Sequence, residues 1–225
     1  MFDLALSYLR GSEFQMAADL CQDALAREPR DDKMRVLFGT VLVRQNRFAE
    51  AETELRQVVA RHPQIPKAQR ELANALIAQG KGDEAIHCYK RVIELTPDNP
   101  AAHRDLAMAY KTLGRKQEAE QALDESFELD PERKELVIAA QHQQEGEFGK
   151  AEAICRNILR RDPRNVNATR MLGTLARDLG KPRLAARMLR NAVNLAPDFF
   201  GARMDLARAL IEIDELDECE TILQD

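Results

Sequence analysis

The sequence predicts an all-α protein made of stacked antiparallel helical hairpins, and three observations lead to this fold class. Prolines recur with a period near 34 residues, at Pro29, Pro63, Pro97, Pro131, Pro163 and Pro197. Large apolar residues recur in the same phase, and each is followed by a small residue. A second small residue recurs twelve positions after the first. A fixed period of this length indicates one helix–turn–helix unit per repeat, and no alternating β pattern is present.

The recurring positions predict how the helices pack. The large residues are Leu4, Phe38, Leu72, Leu106, Ile138, Leu172 and Leu206, and the small residues after them are Ala5, Gly39, Ala73, Ala107, Ala139, Gly173 and Ala207. The second small set is Ala17, Ala51, Ala85, Ala119, Ala151, Ala185 and Cys219. Helices approach to about 8–10 Å where side chains are small, so we expect the two small sets to face each other. We expect the large residues to fill the space between layers. A further apolar position on the second helix, which includes Leu55 and Leu189, should pack on the next unit.

The turns carry matching residues. Four glycines and one asparagine stand where a left-handed residue would end the first helix of a hairpin, namely Asn46, Gly80, Gly114, Gly146 and Gly180. The recurring prolines should close the second helix, since proline cannot continue one. Another three prolines suit the first turn of a helix, namely Pro66, Pro100 and Pro182.

These residues closely resemble the pattern of the tetratricopeptide repeat (TPR) family. Good examples are the unit with Gly39, Ala51, Leu55 and Pro63 and the unit with Leu106, Ala107, Tyr110, Ala119 and Pro131. The resemblance implies a right-handed superhelical solenoid. On this resemblance we expect residues 1–225 to form a single array of repeats. Its units lie near residues 1–31, 32–65, 66–99, 100–132, 133–165 and 166–199, with a truncated seventh at 200–225. The frequent early Trp of the family is replaced here by Arg35, Gln69, His103, Glu135, Thr169 and Arg203. The unit ending at Pro163 is two residues short just after Pro131, so we expect a change of superhelix angle there.

Composition excludes several classes of function. The net charge is −5, aromatic residues make up 5% and Trp is absent, which argues against nucleic-acid binding. The longest apolar run, Val36–Val43, is too short to cross a bilayer, and no signal peptide is recognisable. We therefore expect a cytoplasmic protein without membrane contact. The four isolated cysteines, Cys21, Cys88, Cys155 and Cys219, should be reduced and buried, with no metal site and no cofactor.

Catalysis is not expected in this chain. Phosphate-loop, dinucleotide-binding, nucleophile-elbow and zinc-protease motifs are all absent. In the resembled family the first helices of the units line the concave surface and bind protein or extended peptide. The exposed positions of those helices predict a groove formed by Lys67, Arg70, Asn74, Arg104, Asp105, Arg133, Arg170, Arg177 and Arg208. Glu71 and Asp205 are also expected to be exposed there. The alternative interpretation of these arginines is helix-surface salt bridges. Arg70, Asn74 and Arg133 also match places of a family clamp for peptide carboxylates, but Asp105 would repel a carboxylate.

The sequence leaves three hypotheses for function. The first is a protein-binding scaffold or adaptor. The second is a non-catalytic substrate-recognition region of a larger enzyme with a catalytic domain beyond Asp225, because the chain ends inside a repeat. For this hypothesis, residues 145–223 resemble repeat regions that precede the catalytic domain of bacterial sulfotransferase-like proteins and, more loosely, of glycosyltransferases. The third is self-association through exposed ends or the convex face.

Overall fold

The computed structural model describes residues 1–224, which form fourteen α-helices and no strand. They divide into two compact units, residues 1–129 and residues from 130 onward. Unit 1 contains α1 (Phe2–Arg10), α2 (Phe14–Arg27), α3 (Asp32–Arg44), α4 (Phe48–Arg61), α5 (Pro66–Ala78), α6 (Gly82–Leu95), α7 (Pro100–Thr112) and α8 (Lys116–Leu129). Unit 2 contains α9 (Pro131–Gln144), α10 (Phe148–Arg161), α11 (Val166–Asp178), α12 (Pro182–Leu195), α13 (Phe200–Glu212) and α14 (Leu216–Gln224). The predicted all-α hairpin architecture is confirmed.

Each unit has its own apolar core between successive helices. In unit 1, Leu37, Leu55 and Leu76 are among the fully buried side chains of a core that joins α1 to α8. In unit 2, Ile158 and Leu189 lie in two smaller clusters, one on α9–α11 and one on α11–α14. The four cysteines are free and buried, as predicted. None of the helices within residues 1–224 has both the length and the apolar character to cross a membrane.

The turns between the two helices of each hairpin are left-handed, as predicted. The four glycines there have φ between 70° and 77°, and Asn46 has φ of 60°. Ser12 and Asp214 take the same conformation at the equivalent positions of the first and last hairpins. In every turn this residue ends one helix and lets the chain reverse into the next.

The recurring prolines all follow the end of a second helix, as predicted. Five recurring prolines lie in the turn two residues after a second helix ends, at Pro29, Pro63, Pro97, Pro163 and Pro197. Pro131 also stands two residues after the end of its second helix, α8, but here the same proline is already the first residue of α9. The Asp130 side chain accepts a hydrogen bond from the Arg133 backbone N–H at 3.1 Å and so caps α9. The connection from α8 to α9 is therefore one residue long, and the boundary between the two units falls there.

In two hairpins the residue nearest the small position of the first helix is a large one, which the expectation of facing small residues did not include. A Cβ atom placed on Gly39 would lie 2.5 Å from Cγ of Leu55, and one on Gly173 would lie 2.6 Å from Cγ of Leu189. In these two hairpins the small residue on the first helix thus lies against a leucine of the second helix. The reason is geometric, since a leucine needs the space that the missing side chain leaves. In the last hairpin the two small positions do meet, since the Cys219 thiol lies 3.7 Å from the Ala207 carbonyl oxygen.

Two members of the large apolar set are not buried. Leu4 is 50% exposed on α1 and Ile138 is 39% exposed on α9, whereas the other five are buried. The expectation that all seven fill a layer is therefore wrong for these two. Both stand on the first helix of a unit, where no preceding hairpin of the same unit covers this position.

Candidate functional site

Five of the predicted groove residues lie on neighbouring first helices of unit 1, α5 and α7. Lys67 and Arg70 are exposed, and Asn74, Arg104 and Asp105 are half-buried. The structure places Arg70 beside Asp105, with 3.7 Å between Nε and Oδ2. Burial raises the pKa of the Asp105 carboxyl, and the charges of Arg70 and Arg104 offset this only in part. This face of unit 1 therefore has mixed charge.

Asn74 takes part in a polar network with neighbouring side chains. Its Nδ2 donates to Glu71 at 3.2 Å, and its Oδ1 accepts a hydrogen bond from the Tyr89 hydroxyl at 2.6 Å. Glu71 was expected to be exposed, but it is buried at 5% exposure. Burial, with the Asp105 and Glu71 carboxylates nearby, raises the pKa of the Tyr89 hydroxyl. Asn74 therefore has a structural partner on each side of its amide.

In unit 2 the best-held candidate residue is Arg170 on α11. Its Nε donates to Oδ2 of Asp205 on α13 at 2.6 Å. Its guanidinium carbon also lies 5.4 Å from the centre of the Phe199 ring. A Cβ atom on Gly201 would lie 3.3 Å from the Arg170 Cζ atom, so the guanidinium packs closely against the start of α13. These contacts hold the guanidinium in one orientation.

Asp205 is the residue that positions this arginine, and the sequence placed it wrongly on the exposed face. It is only 4% exposed, and it accepts a second hydrogen bond from Arg208 Nη1 at 3.2 Å. A buried carboxylate is stabilised when charged donors satisfy its oxygens. Arg208 itself remains exposed on the neighbouring turn of α13.

The helices α9 and α11 enclose a groove of about 330 Å³, which we call the α9–α11 groove. Arg133 and Arg170 supply its cationic part, and Leu136, Val137 and Met171 supply apolar surface. Gln143 closes its polar end by donating to Asp178 Oδ2 at 2.6 Å. The groove thus combines two guanidinium groups with an apolar wall over a short distance. This combination suits a carboxylate that stands beside an apolar side chain.

One spacing explains most of the polar contacts between first helices. A basic or amide residue contacts an acidic residue 35 positions later, in the pairs Arg70–Asp105, Gln143–Asp178, Arg170–Asp205 and Arg177–Glu212. Because the repeat period is near 34, this offset joins adjacent first helices. A search of the sequence for basic–acidic pairs at this offset would have found Asp205 as the partner of Arg170. Assignment of exposed residues from the periodicity of each helix missed this role.

The residues described include one cluster with possible metal-ligand geometry, formed by His142, Glu145 and Glu147. His142 Nδ1 lies 2.6 Å from Glu147 Oε2, and Lys150 Nζ lies 2.7 Å from the other oxygen. Hydrogen bonds from Lys150 and His142 outweigh desolvation and lower the pKa of Glu147. The charge of this carboxylate is therefore balanced by side chains of the chain itself.

The architecture defines a helical repeat protein, in which hairpins of about one length stack on their neighbours. Family models of the tetratricopeptide repeat match residues 2–64, 36–86, 100–133 and 176–225, and a TPR repeat model matches residues 73–114. The chain belongs to the tetratricopeptide repeat family. No protein with a curated description matches it.

Solved structures with similar folds include MamA from AMB-1, which is 27% identical with a TM-score of 0.53 over 57% of this chain and 76% of that chain. MamA from MSR-1 is 26% identical, with a TM-score of 0.52 over 57% and 74% of the two chains. The TPR protein TTC0263 of Thermus thermophilus has a TM-score of 0.55 over 93% of this chain and 96% of that chain. It is 17% identical, so it supports the fold alone.

Proposed function

We propose that this chain is a protein-binding scaffold without catalysis of its own, and that the α9–α11 groove binds an extended, acidic segment of its partner. The observation that carries the proposal is the fixed orientation of Arg170. Its Nε serves Asp205, and no hydrogen bond joins its two Nη groups to the residues described. Preorganised donors of this kind bind carboxylates at low entropic cost. Arg133, on the facing helix, adds a second cation.

The other predicted groove residues form further contact surfaces in this proposal. In unit 1 they are Lys67, Arg70, Asn74, Arg104 and Asp105, and in unit 2 they are Arg177 and Arg208. Carboxylates of the chain lie beside Arg70, Arg177 and Arg208. This supports a role for the three arginines in the alignment and selection of the bound segment more than in the affinity for it. The four free cysteines support a location in the reducing cytoplasm.

The test uses a fluorescein-labelled peptide in which Leu–Glu pairs are separated by proline, so that it stays extended. Fluorescence anisotropy with the full chain measures its affinity against a matched peptide with Gln in place of Glu. We expect the Glu peptide to bind more tightly, and Arg170→Gln and Arg133→Gln to weaken it about tenfold each. Arg183→Gln, which removes an exposed arginine of α12, is the matched control and should leave binding unchanged.

The Asp205→Asn variant distinguishes the effect of the Arg170 orientation on peptide binding from the effect of the net charge of the protein. The substitution makes the protein more positive, so simple charge attraction would tighten binding of the Glu peptide. If the oriented guanidinium is what binds, the loss of its charged partner weakens binding instead. Equal affinity for the Glu and Gln peptides, or tighter binding by the Asp205→Asn variant, would contradict the proposal.

A further inference from the structure

A second groove of unit 2 lies between the second helices α10 and α12, and the residues that line it all belong to this unit. Its volume is about 450 Å³, and we call it the α10–α12 groove. Leu159 of α10, Pro163 of the following turn, Leu172 of α11 and Met188 of α12 give it largely apolar walls. Thr169 of α11 also lines it and is only 5% exposed. Volumes of about 300–1,000 Å³ with apolar walls are typical of binding pockets.

In unit 1 the residues that correspond to Thr169 in the repeat are long and end in a planar polar group. Gln69 donates to the Pro63 carbonyl at 3.1 Å, and Arg35 donates to the Pro29 carbonyl at 2.6 Å. Both side chains are buried. In these hairpins a side chain of the chain itself therefore takes the place beside the first helix and bonds to the carbonyl of the repeat's proline.

In unit 2 Thr169 leaves this place open. Its Oγ1 donates to the Asn165 carbonyl of its own helix at 2.8 Å, and the side chain is too short to reach the turn. The turn itself keeps the hydrogen bond from the Asn165 N–H to the Asp162 carbonyl, at 3.1 Å, that its counterpart in unit 1 also has. The Pro163 carbonyl therefore receives no hydrogen bond from the position that supplies one in unit 1. The α10–α12 groove is the space of a long planar side chain that this hairpin lacks.

The surroundings of the groove are cationic. Arg187 lines it and is exposed, and no ion pair or hydrogen bond joins Arg187 to the rest of residues 1–224. The helix α12 carries Arg183, Arg187 and Arg190 and no acidic residue, and α10 ends with Arg160 and Arg161. A carboxylate beside the groove would therefore meet a positive potential. The lining residues include no aromatic ring on which a nucleic-acid base would stack, so the apolar walls and the charge together favour a protein segment.

We infer that the α10–α12 groove takes up a tyrosine side chain from an acidic segment of a partner protein. The ring packs between the apolar walls, where the Met188 thioether makes a favourable contact with an aromatic ring. The phenol hydroxyl donates to the Pro163 carbonyl, as the Gln69 amide does to the Pro63 carbonyl in unit 1. A carboxylate next to the tyrosine pairs with Arg187. The α9–α11 groove shares no lining residue with this one, so each site can be tested without the other.

The test follows methionine methyl groups by NMR in the full chain with ¹³C-labelled methionine. Met188 lines the α10–α12 groove and Met171 lines the α9–α11 groove, so the two resonances report on the two sites separately. Met188→Leu and Met171→Leu assign them. The probe is a short Gly/Ser peptide with one Tyr between two Glu. Three matched peptides have Phe in place of Tyr, Ala in place of Tyr, or Gln in place of both Glu.

We expect the Tyr peptide to shift the Met188 resonance in a saturable way, because the bound ring lies beside the methyl group. The Phe peptide should bind about threefold to tenfold more weakly, which is the net value of one hydrogen bond. The peptide with Gln should bind about threefold more weakly, since its pair with Arg187 is exposed to solvent. The Ala peptide should give no saturable shift.

Thr169→Gln restores the side chain that unit 1 has at this position. The variant should lose binding of the Tyr peptide, while its urea midpoint stays at or above that of the unaltered chain. Thr221→Gln, at an exposed threonine of α14, is the matched control and should bind normally. Arg187→Gln changes an exposed side chain and should weaken the Tyr peptide about threefold without affecting the peptide with Gln. Arg44→Gln, at an exposed arginine of α3, is its control.

Four results would overturn the inference. The first is equal affinity for the Tyr and Ala peptides, or no shift of Met188 at millimolar peptide. The second is a shift confined to Met171, which would place the peptide in the α9–α11 groove. The third is unchanged binding by folded Thr169→Gln together with unchanged binding by Arg187→Gln. Sedimentation velocity provides the fourth, since an oligomer that becomes monomeric with Thr169→Gln would make a second copy of this chain the occupant.

Discussion

Gly39 sets how closely the two helices of its hairpin approach. The Cγ atom of Leu55 lies where a side chain on residue 39 would begin, with a separation of only 2.5 Å. Alanine has the better helix propensity by about 1 kcal/mol, but here its side chain meets a fully buried leucine that must shift to admit it. Packing therefore outweighs propensity at this position.

Gly39→Ala should lower the free energy of unfolding, because overpacking typically costs about 1–3 kcal/mol. Gly149→Ala is its matched control, since nothing lies within 4 Å of the added carbon at the start of α10. That change should be neutral or stabilise by no more than about 1 kcal/mol. Urea unfolding followed by circular dichroism measures both, and a Gly39→Ala midpoint at or above that of the unaltered chain would disprove the packing argument.

Glu52 is the carboxylate with the strongest set of donors. Burial by itself raises its pKa, but hydrogen bonds from Lys81, Arg56 and Gln79, each within 3.0 Å, outweigh burial and lower the pKa to about 2. A depressed pKa in the folded state means that the carboxylate stabilises the fold above the ordinary value of 4.5. That contribution is lost as the pH falls from about 4.5 towards 2.

Glu52→Gln should therefore reduce stability at pH 7 and flatten the fall in stability between pH 7 and pH 3. Glu50→Gln is the control, because the Glu50 side chain is 58% exposed and its pair with Arg47 is screened by solvent. Urea midpoints at the two pH values provide the measurement. An unchanged pH dependence in Glu52→Gln would show that other carboxylates govern the acid transition.

At the scale of elements, polar side chains replace the aromatic residue that this family often has early in the first helix. Arg35 donates to the Pro29 carbonyl at 2.6 Å, and Gln69 donates to the Pro63 carbonyl at 3.1 Å. Both bonds join the start of a first helix to the turn before it. The missing aromatic area is thus offset in part by hydrogen bonds that hold the repeat's proline turn in place.

The start of α11 is held by Asn165, which is buried at 8% exposure. Its Oδ1 accepts from the Ala168 backbone N–H at 2.8 Å, and its Nδ2 donates to Glu132 on α9. Asn165→Ala should cost about 1–2 kcal/mol, because it removes the cap and leaves buried polar groups without a partner. Lys181→Ala is the control at the start of α12, where no side chain caps the helix. Equal urea midpoints for the two variants would contradict this role.

On the scale of the whole molecule, the apolar clusters each lie within one compact unit. Two belong to unit 1 and two to unit 2. Repeat proteins bury their surface mainly against nearest neighbours, so local changes propagate only as far as their core extends. Along the sequence, the one-residue connection at Asp130 separates the residues of the unit 1 clusters from those of the unit 2 clusters.

Gly39→Ala should therefore act within unit 1. Hydrogen exchange should become faster in amides of α3–α5, while amides of α11–α13 keep the protection of the unaltered chain. Mass spectrometry of peptic fragments resolves the two regions in one experiment. Equal acceleration in both units would show that they unfold together as one cooperative body.

The sequence by itself determined the hairpin, its period and its turns. These features are local: a left-handed residue such as Gly80 must end a first helix, and a proline such as Pro66 fits a first turn, whatever surrounds them. Only the tertiary structure decided that Pro131 begins α9, that Ile138 is exposed and that Glu71 and Asp205 are buried. The burial of these side chains depends on whether a neighbouring hairpin, about 35 residues away, packs against them within the same unit. A pattern that is read along a single helix contains no information about that neighbouring hairpin. The α9–α11 groove follows from the same cause, since it is a space between two helices and not a property of either one.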